Sequence, residues 1–280
     1  MADQIDVDKI RAEIRATRPT PELYGVTKVI IGASYNGRVD YDQQLACNGF
    51  TSLDIETELN LAHKEFPGLS ASTMLVDGVP QMRAALLRAG RRPPIWFDYP
   101  VELVDFYGRK IESMTWGELN QSNRRAFVKM SGKRRFQPMV ANFPLLKRGQ
   151  DDDVDLWNAM HIEDEDGVLV SEPVDFVAEW RAFVLDGEIL DVRQYRGDWR
   201  ARPDTATIEA ANAAFHPALR GYAIDFGLTA GDGRTLVVET NAGYSLGAYG
   251  LRPELYARLL AATWAGIWGP GQFGTEGTGG

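Results

Sequence analysis

Apolar and polar positions alternate along this chain with two periods, and the change between them divides it. Ile5, Ile10 and Ile14 recur at near-helical spacing among charged residues, which predicts an amphipathic helix over 4–16, stopped before Pro19. KVIIGAS (28–34) is a continuous apolar run and reads as a buried strand. From Asp40 to about Gly90 short apolar runs are mixed with Gly and Pro and end in the helical pattern PQMRAALLRAG, so residues 1–95 form an α/β lobe. The proline-rich stretch RRPPIWFDYP (91–100) breaks both periods and marks the lobe boundary. Beyond it come a helix-like stretch from Trp116 to Arg125, the strand AFVKM (126–130), the basic loop SGKRRFQ and the acidic turn QDDDVD (150–155), to which no chemistry is assigned.

From Val168 onward the period shortens to two. GVLVSEP is a strand, and DFVAEWRAFVLDGEILDVRQY is a hairpin turning at Asp186-Gly187. TATIEAANAAFHPAL is helical until Pro217, and GYAIDFGLTAGDGRTLVVETNAG is a second hairpin. Residues 252–268 are an amphipathic helix, with Pro253 in its first turn, and 269–280 a disordered tail. The expected divisions are 1–95, 96–170, 171–268 and 269–280.

Composition narrows the chemistry. With a net charge of −9, the chain has little general attraction for nucleic acid or anionic membrane, and no apolar run approaches the roughly 20 residues of a membrane span. The N-terminus has no apolar signal-peptide core, which predicts a cytoplasmic protein. One cysteine, Cys47, allows no internal disulfide, and His63, His161 and His216 have no zinc-ligand spacing. A metal here would be held by oxygen.

The chemistry concentrates in the second hairpin. If its turn is centred on Asp232, Asp225 lies across from Glu239 and Ala223 across from Asn241, so that two carboxylates and an amide converge. Like charges placed opposite each other are destabilising, and the flanking residues offer no lysine or arginine on that face. A divalent ion would resolve the conflict; a hydrated polar strand face is the alternative. Lys129 ends an apolar strand and Lys133 lies in the glycine-containing loop behind it, both placed to meet phosphates, with Arg109 farther upstream. Glu172 precedes Pro173, where the chain exposes backbone groups suited to an adenine edge, and Glu179 shares a strand face with Arg181.

These residues, in this order, resemble the ATP-grasp enzymes, the carboxylate-amine ligase superfamily. The nearest likeness is to a compact clade named for its characteristic arginines and lysine, through DYPVEL, GRKI, FVKMSGKRRF, SEPVDFVAEWRAFVLDGEI and TNAGYSLGAYGL. The resemblance implies an α+β fold in which two α+β subdomains sandwich ATP, preceded by the small α/β lobe. It implies Asp225, Glu239 and Asn241 as Mg²⁺ ligands, Glu239 bridging two ions. Lys129, Lys133 and Arg109 would bind phosphate, Glu172 would be the adenine hinge with Val174 beside it in the nucleotide site, and Glu179 would be the ribose ligand. Many amide-forming relatives carry an arginine where this chain has Ala223; Arg181 and Arg193 are the candidates to replace it, the face of Arg193 being undecided, and Lys133 adds a catalytic cation. Tyr244, Ser245 and Gly247 fall in a substrate loop after the metal ligands. The implied activity joins a small-molecule or peptide carboxylate to an amine through an acylphosphate, with ADP and phosphate released. A small-molecule kinase, a noncatalytic nucleotide-binding protein and a homodimeric assembly stay open.

Overall fold

The computed structural model describes residues 23–34, 36–61, 68–94, 98–131, 138–142 and 162–269. The helix expected at 4–16, Lys133 with most of its basic loop, the acidic turn at 150–155 and residues 270–280 lie outside the described residues. The chain separates into two units, residues 1–93 with 251–280, and residues 94–250.

The first unit is built on a parallel sheet of order β2-β1-β3, from β1 (Lys28–Ala33), β2 (Glu56–Leu61) and β3 (Thr73–Val76). Strand β1 is central, so Val29, Ile30 and Ile31 are all buried and the run reads as continuous rather than alternating. Helix α1 (Tyr41–Ser52) starts at a capping box in which the Asp40 side chain accepts from the Gln43 amide and the Gln43 side chain accepts from the Asp40 amide. Helix α2 (Val79–Arg88) begins with Pro80 in its first turn. The sequence expectation placed the final helix, α5 (Pro253–Trp268), with the preceding 171–250, whereas it belongs to this first unit. The reason is close packing on α1: a Cβ at Gly49 would lie 2.1 Å from the Pro253 carbonyl oxygen, so only glycine permits the approach. Trp264 is fully buried, and its indole N–H donates to the Ser70 carbonyl at 2.8 Å.

The second unit holds two four-stranded antiparallel sheets. One has the order β4-β7-β5-β6, from β4 (Ile111–Thr115), β5 (Arg125–Met130), β6 (Met139–Asn142) and β7 (Gly167–Ser171). Val128, Met130, Val168 and Val170 pack with Trp116 and Leu119 of helix α3 (Trp116–Ser122). The other has the order β11-β10-β8-β9, from β8 (Phe176–Leu185), β9 (Glu188–Gly197), β10 (Gly221–Thr229) and β11 (Thr235–Ala242). Asp186 and Gly187 close the first hairpin with φ of 53° and 83°, as a two-residue turn with both central residues left-handed requires. Ala182, Val184, Tyr222, Ile224, Phe226 and Val237 face a core shared with helix α4 (Thr205–Ala214) and the 3₁₀ turn Val101–Phe106. Alternation therefore sends Arg181 and Asp225 to the opposite face. No helix among the described residues is long and apolar enough to cross a membrane.

Candidate active site

The site is organised by one row across the second sheet. The ladders pair Glu239 with Asp225, Asp225 with Arg181, and Arg181 with Arg193, so two acids and two arginines stand side by side on four strands. The expected facing of Asp225 with Glu239 and of Ala223 with Asn241 is the observed register. It also settles the face of Arg193, which lies directly across from Arg181.

A bulge aims Glu239. Val237 faces the apolar core and, in plain alternation, would carry Glu239 with it; the register shifts between Asp225 and Phe226, leaving Val238 as the extra residue and turning Glu239 to the opposite face. Arg109 stabilises this irregularity. Its Nη1 donates to the carbonyls of Tyr107 (2.9 Å) and Val237 (3.0 Å), and its Nη2 to that of Val238 (2.9 Å). Arg109, assigned to phosphate by resemblance, is thus occupied by backbone oxygens, although it also lines the cavity beside them.

The carboxylates are not left facing each other without cations, contrary to the expectation from the hairpin alone. Arg181 reaches across from β8 and grips Asp225 with Nε and Nη2, both at 2.7 Å. Lys129, at the end of β5 in the other sheet, sits 2.5 Å from Glu239 Oε2 and 2.5 Å from Asp98 Oδ1. Burial by itself lowers the Lys129 ammonium, but Glu239 and Asp98 outweigh it and hold the group above its ordinary value. Burial pushes the Asp225 carboxyl up, and Arg181 opposes that shift. Asn241 Nδ2 lies 3.2 Å from both Asp225 Oδ2 and Glu239 Oε1. Two carboxylates and an amide thus meet within hydrogen-bonding range, an oxygen-rich set that fits a hard cation once the amide presents its oxygen. Among the described residues no group of three or more His, Cys, Asp or Glu side chains is arranged to hold a metal.

Beside this row opens a cavity of about 590 Å³, within the usual size of a small-molecule site. Glu172 and Val174 line it, as do Glu179 and Glu239. Glu172 Oε2 accepts from the Lys110 amide at 3.1 Å, and Glu179 accepts from the Tyr195 hydroxyl at 2.7 Å and pairs with Arg196. Burial, followed by the charges of Asp225 and Glu179, raises the Tyr195 phenol far above its usual value, so it stays a donor. Of the loop residues, Tyr244 is buried, Ser245 and Gly247 are half-buried, and the Gly247 carbonyl accepts from Arg181 Nη1 at 3.3 Å. The loop's Tyr249 stacks on Tyr195, ring centroids 4.7 Å apart, beneath the Arg181 guanidinium at 4.8 Å.

Sequence reasoning assigned no role to Asp98, Tyr99, Tyr195 or Arg196. Asp98 and Tyr99 lay within the quoted DYPVEL. Tyr195 follows Arg193 by two on a strand, and that period places it on the same face.

Two antiparallel sheets that bring a lysine of one against acidic residues of the other, beside a nucleotide-sized cavity, make up an ATP-grasp domain. The chain belongs to the second family of the ATP-grasp clade named for two arginines and a lysine, whose model matches residues 106–259. No curated protein sequence matches it. Among solved structures, it is similar to a RimK domain ATP-grasp protein from Sphaerobacter thermophilus DSM 20745 (16% identity, TM-score 0.51, 87% of this chain and 100% of that one). It is also similar to N5-carboxyaminoimidazole synthetase from Staphylococcus aureus (11% identity, TM-score 0.51, 86% of this chain and 77% of that one). Both likenesses concern the fold.

Proposed function

We propose that this protein is an ATP-dependent carboxylate-amine ligase. A substrate carboxylate attacks the γ-phosphate of ATP, ADP leaves, and an amine then displaces phosphate from the acylphosphate, forming the amide and losing a proton. The observation that carries the reading is the row Glu239, Asp225, Arg181 next to Lys129 at the edge of a cavity of about 590 Å³. Phosphoryl transfer needs positioning and charge neutralisation rather than a nucleophilic side chain. Lys129 would exchange a carboxylate partner for phosphate oxygens, Glu172 and Val174 would meet the adenine edge, and Glu179 the ribose hydroxyls. Asp225, Glu239 and Asn241 would hold Mg²⁺, which when bound neutralises phosphate charge. Arg181 supplies positive charge beside Ala223, the position that departs from many relatives.

The test is ADP release from ATP and Mg²⁺ in the presence of pooled amino acids and short peptides, with mass spectrometry of the products. Ligation gives a product equal to the two substrates less one water. A product heavier by one phosphoryl group, with no condensation in any pool, would overturn the ligase reading in favour of a kinase. Nucleotide binding without ADP release would reduce the protein to a binding module.

A further inference from the structure

The cations around the site differ in how fully they are occupied. Lys129 lies between Asp98 and Glu239, Arg181 is held by Asp225, Arg109 by three carbonyls, and Arg196 pairs with Glu179. Arg193 is different. Its one partner among the described residues is Asp191, whose Oδ2 lies 2.9 Å from Nε, and its side chain is 38% exposed. A guanidinium carries five N–H donors, so both terminal nitrogens of Arg193 remain unengaged among the described residues. Asp191 stands beside Nε as an ion-pair partner, without a hydrogen bond to it. The two-nitrogen edge left over is the geometry that binds a carboxylate or phosphate through paired hydrogen bonds.

Its place in the sheet says which anion this is. Arg193 is on β9, two strands from Asp225, hence about 10 Å away at the usual strand spacing. Two strands of separation place Arg193 to meet a part of the substrate other than the carboxylate phosphorylated beside Asp225 and Glu239. We propose that Arg193 is a specificity-determining residue that holds a second, non-reacting oxyanion of the substrate, so that the acceptor is dianionic: a carboxylate bearing another carboxylate or a phosphate. The inference rests on the ligase reading and adds the substrate class. It also separates the two arginines: Arg181 serves the reacting centre, and Arg193 reads the substrate.

The experiment measures ATP-dependent ADP release by the full chain with matched acceptors: dicarboxylates and acidic amino acids, phosphorylated carboxylic acids, and their monoamide or dephosphorylated counterparts. The wild type is expected to prefer the dianionic member of a pair by about tenfold or more in kcat/KM. Arg193→Gln is expected to erase that preference, chiefly through KM of the acceptor, with KM for ATP unchanged, and Arg193→Lys to restore part of it. Comparison of the carboxylate and phosphate arms identifies the oxyanion. A wild type without the preference, or an Arg193→Gln enzyme that keeps it, overturns the inference and leaves the ligase reading standing. Bound nucleotide with no ADP release from any acceptor overturns both.

Discussion

Lys129 carries a positive charge into a setting where burial opposes it, and two carboxylates keep it there. The sign of its pH dependence follows. Its folded value lies above the ordinary 10.5, so the stability supplied by Asp98 and Glu239 is complete below that value and is lost as pH rises through the folded one. Replacing Lys129 with Met leaves two acids without their cation. The expected cost is about 3–5 kcal/mol at neutral pH, as for a broken buried pair. In denaturant titrations across pH, the gap between wild type and Lys129→Met should narrow once pH passes about 10.5. A gap that widens there would show that the lysine is not held by these acids. Asp98 was illegible as a partner because it lies within the proline-rich break and belongs to no periodic run, so nothing in its local pattern places it beside Lys129. The Asp225–Glu239 pairing matches the expectation only through the bulge: the pairs from Phe226–Val237 to Leu228–Thr235 are one residue off a turn centred on Asp232, and the extra Val238 restores that register from Asp225 onward.

At the scale of elements, the bulge at Val238 decides where the acid of β11 points. Sequence alternation put Glu239 and Asn241 on the site face, and they are there. It could not show that Val237, two residues earlier, faces the core, because a bulge leaves no composition signal. Arg181 was named as a candidate, but its pairing with Asp225 was hidden for a related reason: β10 pairs with β8 rather than with its sequence neighbour β9, so the partner of Asp225 lies 44 residues upstream. Arg109 holds the bulge through the Val237 and Val238 carbonyls. Lysine retains the charge but loses the forked geometry that spans both oxygens. Arg109→Lys should therefore lower stability by about 1–3 kcal/mol and weaken nucleotide binding together, read by thermal unfolding and by titration calorimetry. Unchanged stability with weakened binding would instead assign Arg109 to the phosphates.

In the whole molecule, the unit of residues 94–250 contains every element of the row and its cavity, while the parallel-sheet unit gathers 1–93 with 251–280. The position of the final helix was illegible because its amphipathic pattern shows that it packs, not on what; Gly49 supplies that answer only once its contact with Pro253 is seen. The central claim is that the acids of this row serve nucleotide chemistry rather than merely balancing Lys129 and Arg181. The direct measurement is ATP turnover by Glu239→Gln, which keeps the side chain's size and removes its charge. The account predicts that turnover is abolished while circular dichroism shows the fold retained, with the unfolding midpoint lowered because Lys129 keeps only Asp98 as a carboxylate partner. A folded Glu239→Gln protein that releases ADP at the wild-type rate would contradict it.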